Sequence, residues 1–232
     1  MSEWVYIITC EHGGNQIPEK YQHLFQGEEE VLQTHRGYDP GALELAREFA
    51  AAFEAPVFYT KISRLLVETN RSIHHPHLFS RFTKSLDPQK KVDILHHYYY
   101  SYRNSAEEEI SRQIKQRKPV LHLSIHSCTP VLNDEVRNMD CSLLYDSRRK
   151  GEKEFCRRWK RTFQEFCSQY TMRFNFPYRG SADGFTTYLR KQFSDEQYLG
   201  IEVEVNQKHV AVEQWWDVKE CMIRSLKILN CR

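Results

Sequence analysis

Three short polar segments each follow an apolar run, and each carries side chains suited to acid–base or metal chemistry. Residues 4–10, WVYIITC, run into Glu11-His12-Gly13-Gly14. Neutral imidazole is the commonest protein metal ligand, and a glycine pair lets a tight loop approach closely. The plainer reading of this segment is a turn with a polar tip. Residues 120–125, VLHLSI, run into His126-Ser127. The two-residue period of a strand puts His122, Ser124 and His126 on one side, with His126 at the open end. His122 lies deeper and reads as a hydrogen-bonded core histidine. Cys128 offers a thiol nucleophile, although i,i+2 neighbours past a strand rarely bring sulfur and imidazole into hydrogen-bond reach. Residues 198–206, YLGIEVEVN, carry Glu202 and Glu204 on a common side. Carboxylates inside an apolar strand are costly unless they meet cations, donors or a metal. Beside a metal-activated water such a carboxylate is a proton acceptor; the structural alternative is a salt bridge to buried arginine.

Two further segments suit anions. In Glu68-Thr69-Asn70-Arg71, the Asn70 amide and the Arg71 fork can together hold a carboxylate. The glycine-bounded segment 176–184 contributes Tyr178, Arg179 and Asp183, and loops of this composition often cover sites. The run Ile73-His74-His75-Pro76-His77 lacks a common face because of its proline and reads as a solvated loop.

The elements that must position these residues follow from periodicity. Strands are expected over 4–10, 56–60, 64–67, 120–125, 141–145 and 198–206. Helices are expected over 41–53, 88–117, 151–168 and 213–229, with another beginning in 184–191. Asp39-Pro40 before the first helix supplies an N-cap and an N1 proline. In the helix over 151–168 the basic run at 157–161 is the wet face, opposite Phe155, Trp159, Phe163 and Phe166. In the last helix Trp216, Met222, Ile223, Leu226 and Leu229 form the apolar side. Strands alternating with helices give an α/β class: a mixed, mostly parallel sheet with helices on both faces. Ligands then bind at the carboxyl edge of the strands, where the three polar segments emerge. Segment 72–106 is irregular, and one domain over 1–232 is the simplest organisation.

Composition narrows the function classes. The 232 residues carry 33 Lys+Arg against 31 Asp+Glu, a balance that does not suit a general polyanion binder, so nucleic acid is not an expected partner. A mean hydropathy of −0.69 and the lack of a long apolar run argue against a membrane span. Seven cysteines without a CxxC argue against a zinc ribbon or a disulfide framework, and suggest mostly reduced thiols in a cytoplasmic protein.

Taken in order, EHGGNQIP (11–18), GYDPGAL (37–43), RLLVETNRS (64–72), SIHSCTPVL (124–132), YRGSADG (178–184) and IEVEVNQ (201–207) resemble the N-formylglutamate amidohydrolase family. The resemblance implies a phosphorylase/hydrolase-like fold akin to zinc carboxypeptidases. It also implies metal-assisted hydrolysis of an amide bond in a small carboxylated substrate, such as an N-formyl or N-acyl amino acid. On that pattern one Zn²⁺ per chain is held by His12, His126 and an acidic residue. The carboxypeptidase pattern has a glutamate three residues after the first histidine, where this chain has Asn15. Asp39 is therefore the first choice for the third ligand and Glu11 the second. Glu202 or Glu204 serves as the base, Asn70 and Arg71 clamp a substrate carboxylate, and Tyr178 and Arg179 contact substrate. Asn15 also motivates the alternative, a metal-free, catalytically inactive binding domain of the same fold.

Overall fold

The computed structural model describes residues 4–231, and its first helix, the short α1 (Glu19–Gln22), buries Tyr21. Its strands, in chain order, are β1 (Val5–Cys10), β2 (Val57–Tyr59), β3 (Val120–Cys128), β4 (Val131–Leu132), β5 (Glu135–Val136), β6 (Cys141–Leu144), β7 (Met172–Phe174) and β8 (Tyr198–Asn206). Six of them form one sheet in the order β2-β1-β3-β8-β6-β7, while β4 and β5 make a small separate hairpin. Neighbours in the large sheet pair in parallel except β6 with β8. The expected mixed, mostly parallel sheet is what forms.

The two-residue period divides the sheet chemically. One face presents Ile8, Cys10, Leu121, Leu123, Ile125, Ile201, Val203 and Val205, all buried. It is covered by α2 (Ala42–Ala52), α5 (Lys150–Phe166) and α7 (Gln214–Cys231), whose Phe49, Trp159, Phe163, Met222 and Leu226 complete the core. Each such aliphatic or aromatic side chain contributes roughly 1.5–3 kcal/mol on full burial. The opposite face begins apolar: Ile7, Val120 and Tyr198 pack on α4 (Ser101–Lys115) and α6 (Phe185–Arg190). Towards the carboxyl edge it turns polar, with Thr9, Ser124, His126 and Glu204 all buried. Between the two zones His122 is fully satisfied, one ring nitrogen bonded to Thr9 Oγ1 at 2.7 Å and the other to Tyr198 Oη at 2.6 Å.

Several local expectations need correction. RLLV (64–67) is a turn, not a strand. Leu66 N donates to Ser63 O at 2.9 Å and Leu65 N to Ser63 Oγ at 3.2 Å, which closes the chain on itself. Leu66 and Val67 bury instead against Tyr21, Leu78, Ile94 and Tyr99 in a separate apolar cluster. Asp39 does not cap α2: the N-cap is Gly41, in the left-handed region at φ 78°, and no side chain caps this end. In α7 the buried aromatic is Trp215, and Trp216 is 68% exposed; the buried set Trp215, Val218, Met222, Leu226 and Leu229 follows the helical repeat one residue away from it. Phe166, at the end of α5, is 44% exposed. The strands β4, β5 and β7 were not foreseen. Cys167 and Cys221 form a disulfide, while Cys10, Cys128, Cys141 and Cys156 are free and buried. The second half of segment 72–106 is helical: α3 (Pro88–Ile94), capped by Asp87 Oδ1 accepting from Lys90 N at 3.0 Å, continues through a π-helical turn, Leu95–Tyr100, into α4. No helix among the described residues is long and apolar enough to cross a membrane.

Candidate active site

Parallel pairing of β1 with β3 sets Thr9 opposite Ser124, and pairing of β3 with β8 sets Glu202 opposite Ser124 and Glu204 opposite His126. The chain past β1 therefore emerges beside His126, and Glu204 flanks it on the other side. Gly14 permits this course: a Cβ there would lie 2.6 Å from the Lys61 carbonyl. Asp39 is carried in by a backbone bond, its N donating to His12 O at 3.0 Å. The turn of the chain at Gly41 leaves the Asp39 carboxylate free to face the two histidines.

His12, Asp39 and His126 form the only cluster among the described residues whose His, Cys or carboxylate atoms come within 4.8 Å of one another as a potential metal site, and all three are buried. Asp39 Oδ2 lies 3.1 Å from His12 Nδ1 and 2.9 Å from His126 Nδ1. The outward nitrogen of each ring meets its own carboxylate: His12 Nε2 donates to Glu68 Oε1 at 2.5 Å, and His126 Nε2 pairs with Glu11 Oε2 at 3.2 Å. Carboxylates accept only, so in the metal-free chain ring protons bridge these contacts, and a cation beside Asp39 would take the place of the Nδ1 protons. Three acceptors aimed at one point require protons or a cation between them. Two imidazoles and a carboxylate, with an acidic partner behind each imidazole, make a donor set that suits zinc.

The backing carboxylates are themselves held. Glu68 accepts from Asn70 N at 3.0 Å and from Arg64 Nε at 2.7 Å, and Arg64 also reaches Asp39 Oδ1 at 3.4 Å. Glu11 accepts from Tyr102 Oη at 2.8 Å and Ser124 Oγ at 2.7 Å. Burial by itself raises each carboxyl's pKa. At Asp39 the charges of His12 and Arg64 and the bonds from both imidazoles outweigh it, and at Glu68 the charges of Arg64 and His12 do so. At Glu11 the bond and charge of His126 do the same, so all three stay well below the usual carboxylate range. Burial lowers His126, but its bonds to Asp39 and Glu11 win and raise it well above the usual imidazole value.

Glu204 differs from these. It is 5% exposed, its Oε2 has no hydrogen-bond partner, and burial pushes its carboxyl up to about 7. Glu202 is less buried, and its Oε1 accepts from Thr186 Oγ1 at 2.7 Å. Asn70 lies with Nδ2 3.4 Å from His126 Nε2, while its Oδ1 accepts from Phe185 N at 2.8 Å. Arg71 donates to the Asp183 carbonyl, which ties it to the 183–185 segment. Tyr178 is partly exposed and bonded to Arg137 Nη2 at 2.8 Å. Arg179 is exposed and makes no ion pair with an acidic side chain among the described residues. Asn15 turns away to Gln33 Oε1 at 3.0 Å. Burial first, then the Glu204 charge, raises the Cys128 thiol far above its usual value, so it stays un-ionised and is a poor nucleophile. The His74–His77 stretch does not join the acidic cluster.

Sequence reasoning singled out the segment holding Glu68 but gave that residue no role, and it passed over Arg64 and Arg137. The signal for Glu68 was available: an acidic residue immediately before an Asn-Arg pair, in a chain that already needed acidic partners for two histidines.

Known proteins share the fold and the family of this chain. The family model described as FGase, N-formylglutamate amidohydrolase, matches residues 5–211. A crystal structure of gene product Atu2144 from Agrobacterium tumefaciens superposes with a TM-score of 0.80 at 25% identity, covering 99% of this chain and 93% of that one. N-formylglutamate amidohydrolase from Ralstonia eutropha JMP134 superposes with a TM-score of 0.72 at 14% identity, covering 100% and 94%, a likeness of fold. No curated protein sequence matches. On its match over nearly the whole length, the chain belongs to the N-formylglutamate amidohydrolase family.

Proposed function

We propose that this protein is a metal-dependent amidohydrolase that releases the acyl group from an N-formyl or N-acyl amino acid, with one Zn²⁺ per chain held by His12, Asp39 and His126. Family membership supports the reaction class. The observation that carries the metal is the convergence of both Nδ1 atoms on Asp39 Oδ2 while both Nε2 atoms are held by carboxylates. The candidate site draws on residues from 11 to 204, which supports reading the chain as one domain.

The chemistry a bound divalent cation supplies is Lewis-acid polarisation of a carbonyl and acidification of water. The protein's own residues do the rest. Glu68 and Glu11 hold the imidazoles in the tautomer that leaves Nδ1 free. Glu204 is placed to take the proton from the water attacking the amide carbon and to return it to the departing nitrogen. Burial holds its carboxyl above the usual carboxylate range, which makes it a stronger base. Glu202 is the lesser choice because Thr186 already occupies one of its oxygens. Asn70 and Arg71 lie beside His126 and Glu68, a position suited to a substrate carboxylate; Tyr178 borders the same region through Arg137.

The test is metal analysis of the purified protein together with hydrolysis of N-formyl-L-glutamate. About one equivalent of zinc is expected in the wild type and loss of it in His12→Ala, with hydrolysis restored to stripped wild type by added zinc. Full turnover by metal-free protein would end this reading.

A further inference from the structure

Buried polar groups behind the candidate metal site form one hydrogen-bonded row. Tyr198 Oη meets His122 Nδ1 at 2.6 Å, and His122 Nε2 meets Thr9 Oγ1 at 2.7 Å. The Thr9 hydroxyl bonds in turn to the Tyr102 hydroxyl, and Tyr102 Oη lies 2.8 Å from Glu11 Oε1. The row crosses β8, β3 and β1, passes to α4 and ends on the residue that follows β1. Glu11, Thr9, His122 and Tyr198 are fully buried, and Tyr102 is nearly so. The other oxygen of Glu11 faces Ser124 Oγ and His126 Nε2, so the row ends on the group that backs a candidate metal ligand.

Hydrogen counting gives the row a direction. A carboxylate has no hydrogen to offer, so the Tyr102 hydroxyl donates to Glu11. A hydroxyl has one hydrogen, so Tyr102 Oη accepts from Thr9, and Thr9 Oγ1 accepts from His122 Nε2. Burial keeps His122 neutral, which leaves its Nδ1 bare to accept from Tyr198. Every donor therefore points towards Glu11, and bonds aligned head to tail polarise one another. With these groups shut off from water, removal of one member leaves a buried acceptor unpaired.

The helix that carries Tyr102 is fixed on both sides of it. Ile94 and Tyr99, five positions apart, share one apolar cluster, a spacing that the π-helical turn Leu95–Tyr100 brings to a common face. From Tyr99 onwards the buried residues Tyr102, Arg103, Ala106 and Ile110 follow ordinary helical spacing. Tyr99 Oη donates to Arg71 O at 2.7 Å, and Arg103 Nη1 donates to Thr69 O and Arg71 O, each at 3.1 Å. Thr69 Oγ1 then donates to Glu11 O at 2.9 Å, which ties the same segment to the end of β1.

We propose that Tyr198, His122, Thr9 and Tyr102 are positioning residues for the metal site, a one-way row of donors that holds the Glu11 carboxylate against His126. The proposal rests on the zinc reading above. Zinc affinity, measured by competition with a chromophoric chelator, should fall about tenfold in Tyr102→Phe, the weight of an outer partner. Tyr99→Phe removes an equal hydroxyl from the same helix face and should leave it unchanged. Nitrogen NMR of ring-labelled histidines reads the direction without any metal, with His122→Gln identifying the signal. His122 should carry its hydrogen on Nε2 in wild type. In Tyr102→Phe the Thr9 hydroxyl is released to donate to Nε2, so part of that hydrogen should move to Nδ1. A His122 hydrogen on Nδ1 in wild type, a tautomer indifferent to Tyr102→Phe, or an equal loss of zinc affinity in Tyr99→Phe would each overturn the proposal. Unchanged zinc affinity in Tyr102→Phe would end the positioning role alone. Wild type that binds no zinc would end the zinc reading and the positioning role together, even with His122 in the expected tautomer.

Discussion

Replacing Glu204 by Gln should remove activity and stabilise the metal-free protein together. The carboxyl is buried on β8 opposite His126, with one oxygen lacking any partner. Burial raises it from an ordinary 4.5 to about 7. A group whose folded pKa lies above its unfolded one favours the folded state while protonated. Its stabilising contribution is complete below 4.5 and is lost as pH rises through 7, so the ionised form weighs against folding by about 3 kcal/mol at pH 8. Gln keeps the shape and cannot ionise. Stripped of metal with EDTA, Glu204→Gln should therefore resist urea better than wild type at pH 8 by up to about 3 kcal/mol, with the difference vanishing near pH 4.5. Turnover of N-formyl-L-glutamate by the zinc-loaded variant should fall on the order of 10²-fold or more, since a general base typically contributes 10²–10⁴. A stability difference that does not depend on pH would show that the carboxylate is not held in a desolvated site. Undiminished turnover would remove it as the base. A stability gain with a loss of function in one substitution is the signature of strain kept for chemistry.

Two further outcomes follow from the same geometry. Glu68→Gln should weaken zinc binding about 10- to 100-fold, because the partner that orients His12 loses its charge; competition with a chromophoric chelator measures this, and unchanged affinity would show that Glu68 serves Arg64 alone. His122, lowered by burial from 6.5 to about 4, binds a proton in the unfolded chain before it does in the folded one. Wild type should therefore lose up to about 3 kcal/mol relative to His122→Gln as pH falls from 6.5 to 4, with no further divergence below; parallel urea curves at both ends would contradict it.

The amino-acid sequence by itself determined the class of fold and much of the candidate site. Strands β1, β3 and β8 are long apolar runs whose period of two is visible at once, so the shared side of His122, Ser124 and His126, and of Glu202 and Glu204, could be read directly. That His12 and His126 meet also follows from two parallel strands ending at one edge, and the choice of Asp39 rested on family resemblance together with the neutral Asn15. The tertiary structure decided what local pattern does not encode. Asp39 and Pro40 look like a helix cap, and only the backbone bond from Asp39 to His12 redirects that carboxylate to the imidazoles. RLLV has the composition of a strand, yet it closes on Ser63 and buries Leu66 and Val67 in another cluster. Glu68 and Arg137 escaped notice because their partners, His12 and Tyr178, lie 56 and 41 positions away in the chain, and Arg64 because its second carboxylate, Asp39, lies 25 away. Strand periodicity is a property of neighbours in sequence; charge compensation is a property of neighbours in space, and only folding brings those together.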